Sequence, residues 1–380
     1  MKSSLGFHTM ELSLQLPKQQ SSDLEHDFYE YSHKTTGKIK IYQSDRGTEI
    51  VFIHRDMGIR WCITPKGNFE NSTDILYVEI NPKVLGRDID YITASNYGDM
   101  NVAIPNFDRI SKEISPILQT FACYTVSRVD YCVNFCIDEL VPDCSAQQIM
   151  NLIKRSNIPY HHDEWKEYDH IAHRMKSVKS SFYLMSGYAN INCYLKHEEL
   201  LNRTQRNIAH GYEPVPEMMM EASKSIIRFE VQCKRKKICD IIEKLGVKDD
   251  GEINKYKHLL NQRVCKEIIS RYFFEIVGKG DWYSLSQAVN EIYAHDFNKQ
   301  RRDRLIEALH TVSRCRSVHK AKELCPKTEV EAFTRTLNEL SALSINPVTI
   351  PQAWGIKRIT NLLVGYNLIE CDIDQLSVFS

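Results

Sequence analysis

The feature that most constrains this chain is an alternation that recurs in widely separated stretches. Residues 75–81 place Leu76, Val78 and Ile80 on one side of a strand and Tyr77, Glu79 and Asn81 on the other. Residues 125–135 repeat the pattern with Arg128, Asp130 and Asn134 on the polar side. In residues 189–196, Asn190, Asn192, Tyr194 and Lys196 oppose Ile191, Cys193 and Leu195. In residues 225–233, Arg228, Glu230 and Gln232 oppose Ile227, Phe229 and Val231. Strands of this kind are satisfied by one antiparallel sheet whose apolar face is covered by helices, which leaves the other face free to gather the ionisable side chains.

The remaining chain fits around such a sheet. Residues 1–30 are mixed and polar and are expected to hold a short first strand followed by a loop. Short β segments from Lys38 to Trp61, punctuated by Gly37, Gly47, Gly58 and Pro65-Lys66-Gly67, read as a meander. Helical patterns are expected at 106–120 and, opened by Ser145 as N-cap, at 145–156. Beyond Lys237 the texture turns helical, with helices expected at 254–276, 284–294, 299–324 and 327–343 and from about Ile356. The fold class expected is α+β: a β-rich domain over 1–246 built on a central antiparallel sheet, then an α-helical domain over 247–380.

Composition narrows the functional classes. At 380 residues with 49 basic and 49 acidic side chains, the chain has no global cationic field, so any nucleic-acid role needs a local basic surface. The 12 cysteines form no C-x-x-C pair, which speaks against a zinc ribbon or redox dithiol and for a reduced, cytoplasmic protein. No apolar run is long enough for a membrane span or signal peptide, so no membrane partner is expected.

The polar faces carry chemistry together. Tyr194 is a potential nucleophile with the fixed charge of Lys196 two residues away, a pairing suited to attack on a phosphate. Glu79, Asp130 and Glu230, three carboxylates from separate strands, suit a hard divalent cation, Mg2+ or Mn2+, that would polarise a phosphodiester. The bland alternative is a solvated sheet face with cross-strand ion pairs, which the same spacing also describes.

These residues also carry a resemblance. Cys193-Tyr-Leu-Lys-His-Glu-Glu-Leu200 resembles the nucleophile motif of the gene II replication initiators of filamentous phages, with Cys193 in place of a small residue. Ser127-Arg-Val-Asp130 is similar to their Ser-Arg-Ile-Asp strand, Ile227-Arg-Phe-Glu230 to their Val-Arg-Phe-Glu strand, and Val78-Glu79-Ile80 to an upstream Val-Glu-Ile segment. The four motifs keep their order across about residues 75–240. The resemblance implies a rolling-circle replication initiator: a metal-dependent, strand-specific nickase and ligase acting on origin DNA. Tyr194 would form a 5′-phosphotyrosine and free a 3′-hydroxyl for a host polymerase, with a host helicase as further partner. A conjugative relaxase, or a non-catalytic DNA-binding regulator on the same scaffold, are the alternatives.

Secondary signals extend the expected DNA contact. Arg128 and Arg228 lie on the same strand faces as the carboxylates. Lys234, Arg235, Lys236 and Lys237 follow the last strand as a run of cations able to track a phosphate backbone. His197, next to Lys196, is a candidate auxiliary ligand or proton carrier. His161-His162 and His170-Ile-Ala-His173 lack the His-hydrophobe-His spacing of a metal strand. Trp282 reads as a core residue within a turn, and residues 299–322 as a basic amphipathic helix.

Overall fold

In the computed structural model, residues 4–44, 47–66, 73–86, 90–169, 174–176, 178–209, 211–247 and 251–368 are described. His170 and His173 lie outside them. The chain is α+β, organised on a ten-stranded antiparallel sheet. Its strands, in chain order, are β1 (Ser4–Pro17), β2 (Lys38–Ser44), β3 (Gly47–His54), β4 (Ile59–Thr64), β5 (Thr73–Ile80), β6 (Thr125–Cys136), β7 (Asp163–Glu164), β8 (Ser181–Met185), β9 (Ala189–Leu195) and β10 (Ile226–Cys233). Across the sheet they run β2-β3-β4-β5-β1-β6-β10-β9-β8-β7.

The first strand is longer and more central than the sequence suggested. It pairs with β5 on one side and β6 on the other, and Met10, Leu12 and Leu16 are buried by alternation. It stops at Pro17, which offers no N–H to the ladder. The segment expected to be a loop is instead helix α1 (Lys18–Lys34), held down by Leu24 and Phe28. Phe28 stacks on Phe52 at 5.0 Å between ring centres, and Phe52 on Trp61 at 5.6 Å. Full burial of each such ring is worth roughly 1.5–3 kcal/mol.

Helix α2 (Met100–Ile114) starts earlier than expected and carries Pro105 in its first turns. Helix α3 (Ala146–Ile153) begins at Ser145, whose side chain accepts from the Gln148 amide in a capping box. Helix α4 (Lys196–Ala209) follows β9 without a break and packs against β9 and β10. Helix α5 (Arg235–Lys244) and helix α6 (Gln262–Ile276) cover the apolar face of β6 and β10, and α6 reaches β1 as well. The expected helix over 299–324 is two helices, α7 (Lys299–Cys315) and α8 (Val318–Leu324), parted by Arg316 in the left-handed region at φ 57°.

One contiguous apolar cluster contains Phe7 and Val78, Tyr131 and Phe229, and then Phe273, Leu309 and Leu363. This cluster holds side chains from both sides of the division expected at 246/247. Trp282 is fully buried, as its apolar ring favours. Among the described residues no helix is long and apolar enough to cross a membrane.

Candidate functional site

The sheet has a helix-packed face and a polar face, and register fixes which residues meet on the polar one. Glu79 stands opposite Glu11, and Glu11 opposite Arg128, across β5, β1 and β6. Asn192 stands opposite Glu230, and Tyr194 opposite Arg228, across β9 and β10. Asp130 is paired with Gln232 and Glu230 with Cys132 across β6 and β10. Glu79, Asp130, Glu230 and Tyr194 consequently line one cleft of about 570 Å³, together with His8 and Glu199.

Arg128 is the hub of its acidic half. Its guanidinium donates to Glu79 at 2.7 Å, to Asp130 at 2.9 Å and to Glu11 at 3.4 Å. The arginine expected to hold DNA phosphates is thus engaged with carboxylates of its own chain, two of which were expected to hold a metal. Among the described residues, no group of three or more His, Cys, Asp or Glu side chains is set to bind a metal ion. Arg128 holds Asp130 as well as Glu79, and of the three expected ligands Glu79 is the most exposed.

Asp130 and Glu230 behave differently. Both are buried, at 2% and 4% exposure. Burial pushes the Asp130 carboxyl up to about 7, against the pull of Arg128 and with the help of Glu230. Burial also raises Glu230, with Arg228 opposing. Asp130 accepts from the Thr9 hydroxyl. Glu230 takes one long bond from Gln232 at 3.3 Å, while its Oε2 is buried without a hydrogen-bond partner among the described residues, 3.6 Å from His8 Nδ1. Both carboxyls line the same cleft, and carboxylate oxygens are the donors a hard divalent cation takes.

His8 and Thr9 were not marked from sequence, and a bulge explains why. Phe7 pairs with Tyr131 and Met10 with Val129, so two residues of β1 oppose the single Asp130. Strict alternation would send His8 and Thr9 to opposite faces, yet both line the cleft. Burial, with Arg228 and Lys196 nearby, holds His8 well below the usual imidazole range.

Tyr194 is half-buried near the end of β9. Burial raises its phenol well above the usual range, while Arg228 pulls the other way. Arg228 is fully buried and donates to Asn134 Oδ1 at 2.7 Å and to the Ile92 carbonyl, leaving Nη1 without a partner among the described residues. Its placement is a correction to the expected surface phosphate contact: it is a fixed interior charge beside Tyr194.

Lys196 is not on the strand. It is the first residue of α4, 1% exposed, with its ammonium 5.8 Å from the Tyr194 ring centre. Burial and then Arg228 bring it down to about 8, while Glu199 accepts from it at 2.7 Å. Glu199 also accepts from Arg203 at 3.0 Å. The same turn of helix carries His197 away, and its Nδ1 lies 3.1 Å from both the Met220 carbonyl and Ser223 Oγ.

The basic run divides. Lys237 is buried, which removes it from the surface role expected, while half-buried Lys234 donates to the Ser186 carbonyl at 2.7 Å. Arg235 and Lys236 are exposed, and Lys236 lies over the Tyr188 ring at 5.8 Å.

No family model and no curated protein matches the chain. Among solved structures it is similar to the rolling circle replication initiator protein from Geobacillus stearothermophilus, at 8% identity and a TM-score of 0.30, over 71% of this chain and 84% of that one.

Proposed function

We propose that this chain nicks and rejoins one strand of DNA through Tyr194, as a replication initiator of the rolling-circle type. The observation that carries the proposal is the shared cleft: Tyr194 faces it together with the buried carboxyls of Asp130 and Glu230. The ordered resemblance of residues 75–240 to the gene II initiators supports the DNA substrate and the copying role.

In the forward step the Tyr194 oxygen forms a bond to phosphorus and the bond from phosphorus to the 3′-oxygen breaks. The phenol proton passes to a base in the cleft, and the departing 3′-oxygen takes up a proton to become a 3′-hydroxyl. The products are a 5′-phosphotyrosine and a primer end; the reverse step rejoins the strand. Arg228 favours the phenolate because its buried charge needs no rearrangement when negative charge forms beside it. Lys196, poised near neutrality over the ring, either offsets phosphoryl charge when protonated or accepts a proton when neutral. Mg2+ or Mn2+ would be held by Asp130 and Glu230 and, when bound, would polarise the phosphodiester.

The test uses a supercoiled plasmid carrying the DNA that flanks the chain's own coding region, with Mg2+ or Mn2+ present. Wild type is expected to give open circles and an SDS-stable protein–DNA adduct, and Tyr194→Phe neither. An adduct that persists in Tyr194→Phe would overturn the nucleophile assignment. Binding without nicking by wild type would favour the regulator instead.

A further inference from the structure

A second cleft of about 710 Å³ adjoins the one that holds Tyr194, and the two share His8, Thr9, Glu79 and Arg206. It runs over the outer strands β3 to β5, beneath α4 and the loop that follows it. Its walls combine two kinds of side chain. Arg60 on β4 and Arg206 on α4 are exposed, and neither meets a carboxylate among the described residues; Arg206 donates only to the Asn202 carbonyl. Tyr212 and Tyr91 supply ring faces, with Arg55 lying 5.4 Å from the centre of the first and Arg203 5.0 Å from the second.

The acids of this cleft are largely committed elsewhere. Glu79 is held by Arg128, and Asp56 accepts from the Thr36 hydroxyl at 2.6 Å. Glu213, which is exposed, is the carboxylate that remains. Cations at the rim with tyrosine rings between them match a nucleic-acid strand whose bases are unpaired: phosphates meet the guanidinium groups and bases stack on the rings. A duplex would keep its bases paired and offer the rings no base to stack on.

We infer that this second cleft is the track for the single-stranded DNA flanking the bond that Tyr194 attacks. The inference rests on the reading of Tyr194 as nucleophile, since that is what places a scissile phosphate at the junction of the two clefts. Arg60 and Arg206 hold phosphates, and Tyr212 stacks on a base.

The probe is a fluorescein-labelled single-stranded oligonucleotide of about 16 nucleotides, within the range one protein module covers, titrated by anisotropy at several salt concentrations. The double variant Arg60→Ala, Arg206→Ala is expected to bind several-fold more weakly, with the log–log salt slope reduced by about 0.7 per lost contact. Tyr212→Leu is expected to lose about ten-fold. Arg109→Ala, an exposed arginine paired with Glu113 on α2, is expected to bind as wild type does. Unchanged affinity and slope in the double variant would overturn the track, as would an equal loss in Arg109→Ala or no binding by wild type. The Tyr194→Phe adduct assay separates this from the nicking proposal. Lost adduct in Tyr194→Phe beside weakened binding in the double variant supports both. Lost adduct in Tyr194→Phe beside unaltered binding in the double variant removes the track alone, and a retained adduct beside weakened binding in the double variant removes the nucleophile alone.

Discussion

Glu199 pairs with two cations at once, and that carboxylate makes the Tyr194 end of the cleft sensitive to acid. Lys196 and Arg203 hold it down to about 2 against the opposing effect of burial, compared with 4.5 for an ordinary glutamate. Its folded pKa is depressed, so its contribution is present above about pH 4.5 and is lost as pH falls toward 2. Glu199→Gln is expected to cost about 2–3 kcal/mol at pH 7 and to flatten the stability curve between pH 4.5 and 2, as read by urea unfolding across that range. At this scale the sequence was partly legible. Alternation alone placed Glu79, Asp130, Glu230 and Tyr194 on their faces, because a strand leaves a side chain only two directions. It could not show that Arg228 is interior, since an arginine opposite Phe229 reads as solvent-facing. Lys196 was read as a strand residue because its spacing from Tyr194 is the same whether the strand continues or a helix begins. Had the helix start been recognised, Glu199 would have followed, three residues on, as its partner.

Strand β1 shows what an element's neighbours add to its sequence. Gly6 sits where the Ser95 carbonyl crosses the strand, and a Cβ there would lie 2.1 Å from that oxygen. The amide and carbonyl of Phe7 both bond to Ser95, so the crossing segment cannot simply retreat. Gly6→Ala is expected to cost about 1–3 kcal/mol through this overlap, seen as a lower urea midpoint with an unchanged slope. The four alternating strands, the meander and the Ser145-capped helix were legible because each is governed by local periodicity or capping. The bulge at His8 and Thr9 was not, because it exists only against the register of β6. Likewise α1 was read as a loop: its polar composition gives little away, and Leu24 and Phe28 become informative only once Phe52 is beneath them.

At the scale of the whole molecule, one core joins the sheet to the helices beyond residue 246. Phe273 of α6 packs against Phe135 and Phe229 at 5.5 and 5.3 Å between ring centres, and the Tyr131 hydroxyl donates to the Leu259 carbonyl at 2.9 Å. A fragment of residues 1–246 is therefore expected to lack a cooperative thermal transition by circular dichroism, because the apolar side of β6 and β10 would face water. A native-like spectrum with a sharp melt would instead establish the sheet as an independent unit. The boundary read from texture alone missed this because a change from strand to helix says nothing about which surfaces the helices cover. The placement of β1 in the middle of the sheet also governs timing. Its residues are made before those of the other strands of the sheet, and the strands that complete the cleft around His8 and Thr9 follow much later in the chain. A nascent chain thus carries half of the cleft with nothing opposite it. The cleft that Tyr194 lines comes into being only in a chain that has closed its sheet through β10.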